Sequence, residues 1–318
     1  MARAVVIFFA ALAIAVVAGY NAARFDHPAL GSMPLPLRAV ADKIVHHHTL
    51  FPPHLSSHNM GNPNMAHWSF GLSSVVTDDL VRLTANKQSR EGYLWNDVPV
   101  QLKSWTAYLG FRVHSTHALG GDALALWIVE RPQTGGGPVV GTRSAGFRGV
   151  GIIFDSFDND QQRDNPSVAI LSKVDSPATE TEFDPQTDYA DSRVASCSFD
   201  FRNSPKGDVV NAKIMYDGAA KTLSVQLEST RQSEHCATID VDIPSGFYFG
   251  MTAHTGQVAD NHDVHWFVVT SDDATRGGSE MPGVNDIEGV DGRIRQAEHR
   301  PYNHQQERDE KDRWRAQS

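Results

Sequence analysis

The densest group of side chains able to handle a metal or a proton is FDSFDND, Phe154 to Asp160, directly after an apolar run. If the backbone stays extended, Asp155, Phe157 and Asn159 face the same way, because side chains alternate along a strand. Hard cations such as Ca2+ gather roughly six to eight oxygens from carboxylates, amide and backbone carbonyls and water. Asp155, Asn159 and the carbonyl oxygen of Phe157 would supply part of such a shell. The segment is not an EF-hand loop, which requires a Gly and a terminal Glu at offsets that this sequence does not provide. Residue types alone leave two readings open, a partial cation shell or a solvated acidic turn.

Catalytic readings find less support. Asp158 and Asp160 could be named as a carboxylate pair, but sugar cleavage needs two carboxyl groups opposed across the scissile bond. No strand presents Glu and Asp at alternate positions for that purpose, and there is no G-x-S-x-G elbow, H-E-x-x-H pair or phosphate-binding glycine loop. The expectation is a binding protein and not an enzyme.

The elements that must position these residues are strands. Ala123–Val129, Gly149–Phe154, Val209–Tyr216, Leu223–Leu227, Phe247–Ala253 and Val264–Thr270 are short, rich in β-branched and aromatic residues, and bounded by Gly, Pro, Asp and Asn. Asp217-Gly218 between two of them reads as a hairpin turn. No apolar period of 3.6 residues is sustained from Trp68 onward. Many short strands joined by turns predict an all-β, antiparallel sandwich.

The flanks differ in composition. Arg3, the apolar run Ala4–Ala18 and the small residues to Ala23 describe a secretory signal peptide over residues 1–23, the other reading being an uncleaved anchor. Residues 24–60 are rich in Pro and His, with His46, His47 and His48 consecutive, and read as a weakly structured lead-in. The sandwich domain is expected over 61–271. Residues 272–318 are charged and poor in large apolar side chains, a tail or stalk through which the chain could oligomerise. No apolar run after the expected signal peptide is long enough to span a membrane, and the terminal RAQS does not read as a retention signal; a soluble luminal form and an incomplete chain both stay open. With Asp+Glu 38 against Lys+Arg 28, the net charge of -10 argues against nucleic acid as a partner. Cys197 and Cys236, the two cysteines present, are either one disulfide or two unrelated buried thiols; the signal peptide favours the bond.

Five ordered segments carry a resemblance: VRLTANKQSREGYLWND (Val81–Asp97), GGDALALW (Gly120–Trp127), FRGVGIIFDSFDND (Phe147–Asp160), CSFDFRN (Cys197–Asn203) and IPSGFYFGMTAHTGQVADNHDVHWF (Ile243–Phe267). Together they resemble the L-type, or legume-like, lectins that serve as cargo receptors of the early secretory pathway. The resemblance runs from about Trp68 to Thr270. It implies a concanavalin A-like jelly-roll sandwich whose concave face binds mannose-rich glycans through Ca2+, in the lumen of the endoplasmic reticulum, the intermediate compartment or the Golgi. It implies that Asp155, the Phe157 carbonyl, Asn159 and Asp188 ligate the metal. Asp122 and Asn159 would bind the sugar, with Ser89 and Gly256-Gln257-Val258 lining its pocket, and Cys197 would pair with Cys236. On residue types alone, Asp122 reads as a turn residue, and Asp184 or Asp191 could stand in for Asp188. His262 and Asp263 match a structural segment leading into the last strand.

One departure concerns the sugar. The family has Asp-His just ahead of the calcium-binding Asp, the His orienting the sugar, whereas this chain has Asp184-Pro185. Proline offers neither an imidazole nor a backbone donor. The expectation is a mannose-binding lectin with altered glycan choice, set against a luminal scaffold without sugar binding and, less favoured, a glycoside hydrolase.

Overall fold

The computed structural model describes residues 40–55, 65–179, 182–204 and 208–275. Its fourteen strands are β1 (Trp68–Leu72), β2 (Val75–Val76), β3 (Val81–Thr84), β4 (Arg90–Asn96), β5 (Trp105–His114), β6 (Ala123–Val129), β7 (Gly149–Asp155), β8 (Ser167–Lys173), β9 (Ala195–Ser198), β10 (Val210–Asp217), β11 (Thr222–Glu228), β12 (Ser233–Asp240), β13 (Tyr248–Thr255) and β14 (Asn261–Thr270). They form two seven-stranded sheets, ordered β1-β4-β13-β6-β7-β8-β9 and β12-β11-β10-β5-β14-β3-β2. Every strand pair is antiparallel. The chain is therefore the all-β antiparallel sandwich that the strand pattern predicts.

The wholly apolar runs have a simple cause. β6 and β7 sit in the middle of the first sheet, and every residue of both is buried. Leu124, Leu126 and Ile128 of β6 join the core between the sheets. Ala123, Ala125, Trp127 and Val129 face the other way, into a second core under the loops 131–148 and 174–193. A strand packed on both faces has no solvent side and so shows no alternation. β10, by contrast, alternates buried and half-buried positions. Its hairpin with β11 closes at Asp217, whose carboxylate accepts from the N–H groups of Ala219 and Ala220.

The second core fixes the loops that matter for function. Tyr189 is fully buried in it beside Phe183 and Phe147. That anchor holds the acidic loop 184–191 against the sheet.

Cys197 in β9 and Cys236 in β12 form a disulfide. β9 and β12 are edge strands of different sheets, so the bond staples the sandwich along one side.

The lead-in departs from its composition. Residues 41–51 lie along β14, with Val45 N–H donating to Val269 O and Leu50 exchanging backbone bonds with Phe267. His48 is buried, its Nδ1 is 2.7 Å from Asn96 Oδ1, and Asn96 donates to His47 O. This part of the histidine tract is a packed element and not a solvated lead-in, because Asn96 and Phe249 give His48 a polar and an aromatic partner. The expected signal peptide, and the tail beyond residue 275, lie outside the described residues. Among the described residues no helix is long and apolar enough to cross a membrane.

Candidate functional site

The site gathers where β7 and β13 end and β6 begins. β7 delivers Asp155 as its last residue, buried. Its Oδ1 accepts from Phe157 N–H at 3.1 Å, which turns the chain away from the sheet and into the acidic run. The loop 184–191 meets that run: the Asp188 carboxylate accepts from Asn159 N–H at 3.1 Å and from Asp160 N–H at 3.4 Å. Asp188 has φ 48 and ends the one-turn 3-10 segment Pro185–Thr187. Asp184 caps that segment by accepting from Gln186 N–H at 2.9 Å. Of the three acids of this loop that the sequence left open, Asp188 is the one brought to the acidic run.

Carboxylate oxygens of Asp158, Asp160 and Asp188 lie within 4.8 Å of one another. Asp188 therefore lies in one cluster with Asp158 and Asp160, which the sequence reading did not name as ligands. Asp155 stands outside that triple, yet it feels the charges of Asp188, Asp122 and Asp158. Burial, reinforced by these neighbours, pushes Asp155 well above the carboxylate range, and burial with the charges of Asp160 and Asp158 lifts Asp188 to about 6. Asp158 Oδ1, Asp160 Oδ2, Asp164 Oδ1 and Asn165 Oδ1 are buried without a hydrogen-bond partner among the described residues. Phe157 O accepts from Asn165 Nδ2.

Buried acceptors with no donor and several carboxylates with no counter-charge are unfavourable unless a cation supplies both. The donor set is oxygen throughout, the chemistry of a hard divalent cation. It fits calcium.

The residues expected to meet sugar converge next to this cluster. Asp122 follows a cis Gly121–Asp122 peptide bond and is half-buried. Its N–H donates to His254 O at 3.1 Å, and its carbonyl accepts from Ser156 N–H and Oγ, both at 2.9 Å. A Cβ on Gly256 would lie 2.8 Å from Asp122 Oδ2, so only glycine leaves space over the carboxylate there. Gly256 O accepts from Ser89 N–H at 3.1 Å, with Ser89 at φ 53. Gln88 Nε2 donates to Gln257 O at 2.6 Å, and a Cβ on Gly121 would touch both Val258 and Phe157 at 3.1 Å. Asp122, Ser89 and the Gly256–Val258 loop thus share one rim. Beside it lies a cleft of about 440 Å3 lined by Gln88, His117, Leu119, Gln257 and Val258. A larger depression of about 530 Å3, between Lys173 and Asp242, holds none of the predicted residues.

Two features escaped the sequence reading. His254 Nδ1 lies 3.0 Å from Asp122 Oδ2. Arg202 forks onto Asp260, which donates its N–H to Gly121 O at 2.8 Å and so braces the turn before Asp122. In DNHD, His262 Nδ1 is 2.7 Å from Thr84 Oγ1, and Asp263 pairs with Arg82 and His114. Burial alone would raise Asp263, but Arg82 and His114 outweigh it and hold it at about 2. Both residues tie β14 to its neighbours, the structural role expected.

Residues 41–276 match the model of the legume-like lectin family. The chain belongs to the legume-like lectin family. Among its relatives, the vesicular integral-membrane protein VIP36 of Mus musculus is 33% identical over 222 residues, 68% of this chain and 59% of VIP36. Protein ERGIC-53 of Homo sapiens is 34% identical over 221 residues, 68% of this chain and 41% of that protein. The chain thus matches little more than half, or less, of the length of these relatives. The crystal structure of the VIP36 exoplasmic/lumenal domain in its Ca2+/Man3GlcNAc-bound form superposes with a TM-score of 0.63 at 30% identity, covering 78% of this chain and 95% of that one. The Emp47p carbohydrate recognition domain, 21% identical with a TM-score of 0.58, shares the fold. As a legume-like lectin, the chain places its acidic cluster and the Asp122 rim at the same end of the sandwich.

Proposed function

We propose that this protein is a calcium-dependent lectin that binds mannose-rich N-glycans of glycoproteins in the lumen of the early secretory pathway and serves cargo transport or quality control. The observation that carries the reading is the adjacency of an uncompensated oxygen cluster, Asp158, Asp160 and Asp188, to the open carboxylate of Asp122. The Ca2+ and mannose ligands of the VIP36 domain structures support it. Asp155, the Phe157 carbonyl, Asn159 and Asp188 are assigned to the metal, with Asp158 and Asp160 close enough to contribute. Asp122, Asn159, Ser89, Gly256, Gln257 and Val258 are assigned to the sugar.

A sugar hydroxyl is already well hydrated, so exchange of water for protein gains little unless acceptors are fixed beforehand. Calcium supplies that fixing: it neutralises the carboxylates and locks the 155–160 run against the 184–191 loop. Asp122 then accepts from sugar hydroxyls, and Ser89 and the Gly256–Val258 loop shape the rim. Affinity for one glycan is expected to be modest, with strength coming from several copies.

Binding without turnover suits the arrangement. Oxygens of Asp158, Asp160 and Asp188 converge on one point, as the ligands of a cation do, whereas a glycosidase pair faces the scissile bond from opposite sides. Pro185 removes one sugar contact of the family pattern, so altered preference among mannose-type glycans is expected.

A glycan array probed with the purified protein in Ca2+ and in EDTA tests the reading. Retention of mannose-terminated glycans in Ca2+ alone supports it. Binding to none of them would leave the sandwich as a protein-binding scaffold.

A further inference from the structure

We propose that His254 is a positioning residue of the glycan site, holding one oxygen of Asp122 so that the other is aimed at the sugar; this rests on the lectin reading above. His254 grips Asp122 twice. Its backbone carbonyl accepts from Asp122 N–H at 3.1 Å, and its ring Nδ1 lies 3.0 Å from Asp122 Oδ2. The side-chain contact is not buried away from a ligand, since the two side chains are 29% and 27% exposed.

The surroundings make this a built arrangement and not a chance surface pair. His254 lies in β13, opposite Glu91 of β4 on one side and Ala123 of β6 on the other. That register brings the ring to the residue just before β6, Asp122. Two positions further along, Gly256 lacks the Cβ that would sit 2.8 Å from Asp122 Oδ2 and 3.2 Å from Oδ1. The carboxylate is therefore held from the His254 side and left open on the Gly256 side. A free carboxylate rotates about its Cβ–Cγ bond and must lose that freedom when a hydroxyl docks. One oxygen held by an imidazole removes the loss beforehand.

The charged and titratable groups that face the ring are Asp122 ahead of β6, Glu91 from β4 and His262 from β14 in the other sheet. Asp122 raises the imidazole above its ordinary value, burial opposes it, and Glu91 adds to the rise. Burial holds His262 down at about 4, so it stays neutral near pH 7. Holding Asp122 is strongest with His254 protonated, so glycan affinity should fall as pH rises above 6.5.

The experiment uses the full chain in saturating Ca2+, titrated with dimannose between pH 6.5 and 8.5, for wild type, His254→Ala and His254→Asn. Calcium affinity and thermal stability are measured on the same samples. Wild-type affinity should fall about fivefold across the window, the scale of one charge-assisted hydrogen bond at a partly exposed site. His254→Ala should bind about fivefold more weakly at pH 6.5 with a flat profile, and its calcium affinity should be unchanged. His254→Asn, which keeps a neutral donor near the Nδ1 position, should fall between the two and also be flat. A wild-type profile retained in His254→Ala overturns the inference alone. Parallel loss of calcium affinity in His254→Ala makes the residue merely structural and also overturns it. A wild type that binds dimannose at no pH overturns both this inference and the lectin reading.

Discussion

Arg202 holds Asp260 at two points, Nε to Oδ2 at 2.8 Å and Nη2 to Oδ1 at 2.9 Å, in a pair of which Asp260 is fully buried. The same guanidinium donates to Ala118 O and His117 O, and Asp260 accepts from Ser156 Oγ. A Cβ on Gly120 would run into both members of the pair. The ion pair therefore sets the course of the chain from residue 117 to Asp122. Arg202→Ala leaves a buried carboxylate without its partner, which typically costs about 3–5 kcal/mol. Denaturant unfolding should show a loss on that order, with weaker glycan binding in whatever folds. A loss below about 1 kcal/mol would mean that Asp260 is not held by this pair.

The disulfide closes a sequence separation of 39 between edge strands of opposite sheets. Chain entropy gives a loop of that length about 4 kcal/mol. Cys197→Ser with Cys236→Ser should lower unfolding stability by roughly that amount while leaving the calcium site assembled, because β8 stands between β9 and the strand that carries Asp155. Thermal melts of oxidised, reduced and double-mutant protein separate the two effects.

Acid should weaken the fold through the interior histidines. Burial lowers His48, His54 and His262 to about 4, against an unfolded value near 6.5. A histidine lowered in the folded state leaves stability complete above about pH 6.5, and stability is lost as pH falls toward 4. Each contributes a slope of about 1 kcal/mol per pH unit in that window. The buried acids of the cluster act with the opposite sign, so a difference measurement isolates one histidine. His48→Asn should show a slope shallower by about that amount between pH 6.5 and 4.5 in chemical denaturation. Identical slopes would show that His48 titrates as if exposed.

Calcium should stabilise the fold because the unfolded chain has no assembled site. At a free Ca2+ concentration one hundred times the dissociation constant, linkage gives about 2.7 kcal/mol. Differential scanning calorimetry should show an upward shift with Ca2+ that EDTA reverses, and Asp188→Asn should lose most of it. An equal shift with Asp188→Asn would place the ion elsewhere.

The sequence made β6 and β7 plain because strands buried on both faces carry unbroken apolar runs. β12, SEHCATID, is an exposed edge strand whose polar residues carry no such signal. β5 alternates over most of its length, but Gly110, where Trp266 fills the space of a side chain, interrupts the pattern. The acidic run of the site was visible because Asp155, Asp158 and Asp160 are local, whereas Asp188 needed the family resemblance to be singled out. His254 and Arg202 were not visible at all. Each meets its partner across a long stretch of chain, Asp122 in one case and Asp260 in the other, and neither sits in a motif with spacing of its own. The buried role of His48 was hidden for the same reason, since its partner Asn96 is 48 residues away. Composition reports what a segment contains, and these contacts depend on which strands become neighbours.

One end of the sandwich is proposed to bind mannose through calcium. Isothermal titration of dimannose into the protein tests it most directly, run in 1 mM-scale Ca2+ (about that level saturates the weaker extracellular-type sites), in EDTA, and with Asp122→Asn in Ca2+. Measurable binding is expected in Ca2+, none in EDTA, and a loss of about tenfold or more for Asp122→Asn, whose amide donates where a carboxylate accepts. Equal binding with and without Ca2+, or undiminished binding by Asp122→Asn, would contradict it.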